Sequence, residues 1–320
     1  MMRKYAALLA AAVALCVLAP SASAQGWPHA TITVVVPLAA GDGGDTTARA
    51  MSEVLNKELD TPVVISNRPG AGGAVGVQSV IAAKKDGYTI LFTQNSPLTI
   101  RRVLEPATAN YDPLKELTPL AITTRTPSVL VVRKDAPYQS FQQLVAYAKR
   151  NPGRIRIGNA GPASSGDLSV QVINSVAGTD LASIPYKGAA PAVTDVIGGQ
   201  VEGVILALGA VSAHMKSGTL KALAISSPFP EVPDVPTLSK LGYRQDLLGV
   251  WFSWMLPAGT PPDVVQTLTQ ALHKATRDGA ITQRLLPLGI AQDWEPASSV
   301  VHEVMQEYET ITQLTNRMKK

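Results

Sequence analysis

The stretch Thr31–Arg49, TITVVVPLAAGDGGDTTAR, restricts the fold more than any other part of the chain. Thr31 to Val36 is a short β-branched run that stops at Pro37. An apolar run this short, held between turn residues, reads as a strand buried on both faces. Gly41, Gly43 and Gly44 follow. Asp45 is then expected to cap a helix in which Ala48, Met51, Leu55 and Leu59 recur at helical spacing. Strand, glycine loop and helix open an α/β fold. Backbone N–H groups of such a loop lie at the positive end of a helix dipole and can receive an anion, a carboxylate being the simplest. The plain alternative is a turn that only joins two elements. The loop is no nucleotide signature: G-x-G-x-x-G from Gly41 would need glycine at Thr46, and no G-x-x-x-x-G-K occurs.

Ahead of this unit stand Met1, Met2, Arg3 and Lys4, an apolar run from Tyr5 to Leu18, Pro20, and Ser21-Ala22-Ser23-Ala24. That order describes a secretory signal peptide cleaved after Ala24, and its apolar run is too short for a comfortable membrane span. Cys16, the one cysteine, lies inside it behind the bulky Leu15, which disfavours lipidation. Cleavage of the first 24 of 320 residues leaves 296 with no cysteine, hence no disulfide and no thiol nucleophile. Loss of Arg3 and Lys4 lowers the formal charge from +4 to +2, and the remaining basic residues are scattered. Nucleic-acid binding is therefore not expected. A soluble periplasmic protein of two lobes or one large domain is.

The first unit continues through Val63–Ile65, a helix bearing Val77, Val80 and Ile81, and a strand from Tyr88 to Thr93. Alternation of this kind implies parallel strands joined by right-handed crossovers, with ligands bound beyond their carboxyl ends. Gln94, Asn95 and Ser96 are then polar candidates, or Asn95 or Ser96 only caps the next helix. Arg68 reads as an anion clamp or as part of a structural turn. The grammar recurs later. Val129–Val132 is a strand, Phe141–Arg150 an amphipathic helix, and Ile155–Ile157 leads through Gly158–Asp167 into a helix ending near Val176. Ser164 and Ser165 could donate to a ligand, while Asp167 either caps or accepts. A helix is expected over Ala189–Ile197, strands over Val201–Leu208, Leu220–Ser226 and Trp251–Leu256, and helices from Pro262 to Arg277 and from Ala297 to Met318. Lys187 stands near a loop mouth and either meets the ligand or pairs with Asp195.

Nine pieces in order, VVPLAAGDGGDTTAR, SNRPGAGG, DGYT, YDP, PYKGAAPAVTD, GGQV, ALAISS, DVPTL and PAGTPPDVV, resemble the Bug family, the periplasmic substrate-binding proteins of tripartite tricarboxylate transporters. The resemblance implies a two-lobed Venus-flytrap fold of the type II binding-protein class, each lobe a mostly parallel α/β sheet flanked by helices. It places lobe 1 in residues 25–124 plus about 228–320 and lobe 2 in 125–227. It implies a small organic carboxylate held by backbone groups of the first loop: Leu38, Ala39, Ala40, Gly41, Gly43, Gly44 and Asp45. Thr93 to Ser96, and Ala163, Ser164, Ser165 and Asp167, match further ligand-facing positions. Three departures stand out. Asp42 replaces a glycine beside the anion seat, Asp167 a histidine, and Leu206 an aspartate that would serve a ligand ammonium.

Closure is expected about hinges near Ile122–Pro127 and Ile225–Pro228. The implied partners are membrane subunits of a transporter, or a sensor for an orphan member, with a monomeric protein and no cofactor or metal. A periplasmic hydrolase is the rival from another class. No G-x-S-x-G elbow occurs, and His29, His214, His273 and His302 stand apart with no H-E-x-x-H.

Overall fold

The computed structural model describes residues 26–318; the expected signal segment and Cys16 lie outside them. β1 (Ile32–Val36) passes through the glycine loop into α1 (Gly43–Leu59). β2 (Val63–Asn67), α2 (Ala74–Ile81) and β3 (Thr89–Gln94) complete the first unit, and β1 pairs in parallel with both β2 and β3. Ile32, Val34 and Val36 enter a core cluster with Met51, Leu55 and Leu268 on one face of the sheet. Val35 joins Val77 and Val304 on the other. Burial on both faces is what an apolar run without strict alternation encodes.

The short helices α3 (Asn95–Leu98), α4 (Ile100–Leu104) and α5 (Pro113–Glu116) lead into the long strand β4 (Leu117–Thr126). Only Pro127 separates β4 from β5 (Ser128–Arg133), which belongs to a second sheet. The second lobe continues with α6 (Phe141–Arg150), β6 (Arg156–Asn159), α7 (Ser165–Ala177), β7 (Ala182–Pro185), α8 (Ala189–Ile197), β8 (Gly203–Ala207), α9 (Leu208–Lys216) and β9 (Leu220–Ile225). The chain returns as β10 (Val250–Pro257), and α10 (Pro262–Ala275), α11 (Gly279–Leu285), β11 (Ala291–Pro296) and α12 (Ala297–Met318) close it.

Strand order is β11-β4-β10-β3-β1-β2 in the first sheet and β7-β6-β8-β5-β9 in the second. In the first sheet β10 and β11 run against the rest; in the second, β5 alone does. The two-lobed α/β architecture of helix-flanked sheets is therefore present, with four strands of each sheet running the same way. Three details differ from expectation. The strand expected over Val201–Leu208 ends at Ala207, and Leu208 opens α9, whose N-cap Ala207 offers no side-chain bond to mark the change. Asp45 does not cap α1, because Asp42 does. The chain was expected back in the first lobe near residue 228, yet Phe229, Leu238 and Leu247 pack into the second sheet's clusters, so the return comes with β10.

The described residues of the two lobes meet in more than one place. Ile100 and Ile311 of the first lobe share a cluster with Ala163 and Leu168 of the second. Elsewhere the Leu286–Gly289 turn meets α9 so closely that a Cβ on Gly209 would lie 2.0 Å from the Leu288 carbonyl oxygen.

Candidate functional site

A cavity of about 640 Å³ lies between the lobes, lined by the segments that follow β1, β3, β6 and β8. Its position beyond the carboxyl ends of parallel strands is where open α/β sheets bind ligands. Pro37, Leu38, Ala39 and Gly43 come from the first loop, and Gln94, Asn95 and Ser96 from the end of β3. Ala163, Ser164, Ser165 and Leu206 face them from the second lobe. Phe252 adds an aromatic wall and stacks on Phe92 at 5.4 Å and 15°.

The two lobes build their loops in the same way. Asp42 caps α1 and accepts from the Gly44 amide at 3.0 Å. Three residues later the buried Asp45 accepts from the Gly41 amide at 2.9 Å, from Arg49 Nε at 3.0 Å and from Asn67 Nδ2 at 2.9 Å. Asn67 Nδ2 also donates to the Leu38 carbonyl at 3.1 Å, which ties the end of β2 to the loop. In the second lobe Ser164 caps α7, accepting from the Asp167 amide at 3.2 Å. Asp167 in turn accepts from the Ala163 amide at 2.9 Å and from Ser183 Oγ at 2.5 Å. Each loop thus closes through an aspartate at the third helical position that reaches back to an amide four residues earlier and across to the adjacent parallel strand. This resembles a capping box shifted by one residue.

That arrangement places the remaining expected site residues. Asp45 and Asp167 fix their loops from behind and do not line the cavity. Burial would raise the Asp45 carboxyl, but Arg49, the Gly41 amide and Asn67 outweigh it and hold the group below its ordinary range. Gly44 lies beneath the surface: a Cβ there would come within 2.5 Å of Leu38 and 2.7 Å of Phe252. Gly41 supplies a backbone φ of 85° that favours glycine, and neither it nor Ala40 lines the cavity. Thr93 is buried within β3. Lys187 is exposed outside the cavity, and Asp195 takes its hydrogen bond from the Tyr186 hydroxyl at 2.7 Å. Arg68 is exposed, and its backbone amide donates to the Val36 carbonyl. Of the loop amides expected to face an anion, those of Gly41 and Gly44 are bonded within the loop, as is the neighbouring amide of Asp42.

Several lining residues carried no local signal. Arg101 of α4 lies flat on Gly72, pairs with Glu105 and keeps a buried Nε without a partner among the described residues. Thr126, Ser128 and Val250 line the cavity where the chain crosses between lobes, and Leu288 and Ile290 enter from the turn before β11. Asp42 and Arg101 are the only charged side chains among the described lining residues. Asn95, 1% exposed, donates to the Gly249 carbonyl at 3.2 Å and to Glu307, while its Oδ1 has no partner among the described residues. Such a chamber, with apolar walls and a few convergent polar groups, suits a small organic solute. Among the described residues no cluster of three or more His, Cys, Asp or Glu is placed to hold a metal, and no helix is long and apolar enough to cross a membrane.

Comparison with known proteins agrees with this geometry. The family model of the tripartite tricarboxylate transporter family receptor matches residues 47–315. A UPF0065 protein of Bordetella bronchiseptica is 39% identical over 286 residues, covering 88% of this chain and 84% of its own. A TctC solute binding protein from Polaromonas superposes with a TM-score of 0.82 at 27% identity, covering 91% of this chain and 99% of its own. MatC from Rhodopseudomonas palustris, solved with bound malate, superposes with a TM-score of 0.73 at 29% identity, covering 90% and 99%. The chain belongs to the tripartite tricarboxylate transporter receptor family of solute-binding proteins.

Proposed function

We propose that this protein captures a small organic carboxylate in the interlobe cavity, in the periplasm, and presents it to the membrane subunits of a tripartite tricarboxylate transporter. The observation that carries this reading is the cavity at the strand ends of both sheets, lined by residues of both lobes. A ligand that touches both lobes favours the closed state over the open one, which is the differential affinity that closure requires. Malate in the similar MatC structure supports a carboxylate as the solute class. Leu38, Ala39, Gly43 and Gln94 to Ser96 form one jaw; Ala163 to Ser165 and Leu206 form the other. The lobes turn about Pro127 and about Gly249, the points where the chain passes between sheets. The protein works as a monomer, because each jaw is complete within one chain, and it performs no chemistry on the solute.

A dissociation constant near 1 µM needs only about 8 kcal/mol, which a few charge-assisted hydrogen bonds in a largely apolar chamber supply. Native mass spectrometry of the protein as purified, followed by a thermal-shift screen of carboxylates, tests the reading. A retained or stabilising carboxylate is expected. Stabilisation by neutral sugars or peptides alone, or turnover of a bound carboxylate, would rule it out.

A further inference from the structure

We infer that the ligand carries one carboxylate and, at its other end, a hydrogen-bond donor such as a hydroxyl, amide or ammonium in place of a second carboxylate; this rests on the carboxylate-binding reading above. Three observations point the same way. First, the chain places its own carboxylate at the first loop. Asp42 lines the cavity and accepts from the Gly44 amide at the N-terminus of α1. The amides of Gly41 and Asp42 are likewise bonded inside the loop. The positive end of that helix dipole is therefore already met by an anion, and a second one beside it is repelled.

Second, Arg101 and Asp42 are the only charged side chains among the described lining residues, and Arg101 shares its charge with Glu105. The wall offers one cation, enough to balance one carboxylate, and its buried Nε has no partner among the described residues. A dicarboxylate would leave its second anion in the chamber without a counter-charge, which is costly. Third, Asn95 presents an acceptor. Its Nδ2 donates to the Gly249 carbonyl as well as to Glu307, and turning the amide over would set Oδ1 against the Gly249 carbonyl oxygen. Its Oδ1 is buried and without a partner among the described residues, in a residue that lines the cavity, and a donor on the ligand would satisfy it. Leu206 adds no charge from the opposite lobe.

Isothermal titration with matched pairs tests this: succinate against succinamate, and adipate against its half-amide, on the native protein and on Asp42→Asn. Asparagine caps a helix as well as aspartate, so the loop persists and the unfolding temperature serves as a check. The half-amide is expected to bind the native protein about tenfold more tightly than its dicarboxylate, and the substitution is expected to reduce that ratio to about threefold or less. A native protein that prefers the dicarboxylate, or a ratio untouched by Asp42→Asn, overturns the inference and leaves the carboxylate reading standing. Binding by neither series overturns both.

Discussion

Asn95 Nδ2 donates to both carboxyl oxygens of Glu307, at 2.9 and 3.1 Å, between residues 212 positions apart. Thr99 Oγ1 at 2.8 Å and Trp251 Nε1 at 2.7 Å donate to the same group. A carboxyl buried in α12 thus holds a residue that lines the cavity. Burial pushes Glu307 up to about 7 from 4.5, against the pull of these hydrogen bonds and with a contribution from Glu303. The folded protein therefore keeps a proton between those values that the unfolded chain has released. This group's contribution to stability is complete below about pH 4.5 and is lost as pH rises through 7, a fall of about 3 kcal/mol. Glu307→Gln keeps an oxygen for Asn95 and Trp251 and cannot titrate. Urea unfolding at pH 5, 6, 7 and 8 should show a flatter profile for the variant and greater stability than the native protein above pH 7. The same slope in both would exclude Glu307 as its source.

Asp45 lies behind the ligand wall, so its removal should act on folding before it acts on recognition. Its carboxylate gathers the Gly41 amide, Arg49 and Asn67, all donors. Asp45→Ala leaves those donors without their acceptor and is expected to cost about 2–4 kcal/mol, read as a lowered urea midpoint. Asp45→Asn should rescue little, because its NH2 would face a donor. The depressed carboxyl contributes stability above its unfolded value of 3.8, and that contribution should fade as pH falls through the folded value, so native and variant should converge in acid. Equal midpoints at neutral pH would refute this role.

Arg101 should separate recognition from folding. Among the described residues its Nε has no partner to lose, and its ion pair with Glu105 is an i,i+4 contact of small value. Arg101→Met sets an apolar chain where Cδ and Nε lie on Gly72 and removes the sole cation among the described lining residues. Carboxylate affinity is expected to fall about tenfold to a hundredfold, with the unfolding temperature shifted by only a few degrees. Calorimetry that finds unchanged affinity would remove Arg101 from the recognition surface.

What the chain revealed locally and what it concealed follow from sequence distance. The bounds of Phe141–Arg150, Ala189–Ile197 and Ala297–Met318 are legible because apolar spacing or flanking turn residues mark both ends. α9 is not, because LALGAV runs from strand to helix without a polar cap. β11 escapes because AQDWEP carries two acids. At the sheet edge those acids meet Arg125, 168 to 170 positions away, which takes Asp293 and Glu295 as partners. The first loop shows the same limit at short range. Asp42 and Asp45 both suit an N-cap by type, and D-x-x-D does not say which one caps and which one braces the loop. That assignment needs Asn67, on a neighbouring strand. Arg101 and Leu288 reach the cavity through contacts with Gly72 and Gly209, which no local pattern announces.

Gly209 tests closure itself. It sits in the first turn of α9, in the second lobe, and its backbone meets the Leu288 carbonyl, which belongs to the first-lobe turn between α11 and β11. A Cβ there would lie 2.0 Å from that oxygen, nearer than any real contact, and Gly289 approaches from the same side. Alanine is a better helix former than glycine by about 1 kcal/mol, so Gly209→Ala should not weaken α9 within its own lobe. It should act where the lobes meet, by holding α9 away from the turn. The expected result is a larger radius of gyration by small-angle scattering in the presence of a saturating carboxylate, and an affinity lowered about tenfold. The thermal midpoint without ligand should be nearly unchanged. An affinity and a radius equal to those of the native protein would mean that the two lobes can close without this contact, and the turn would then have to be read as support for α9 alone.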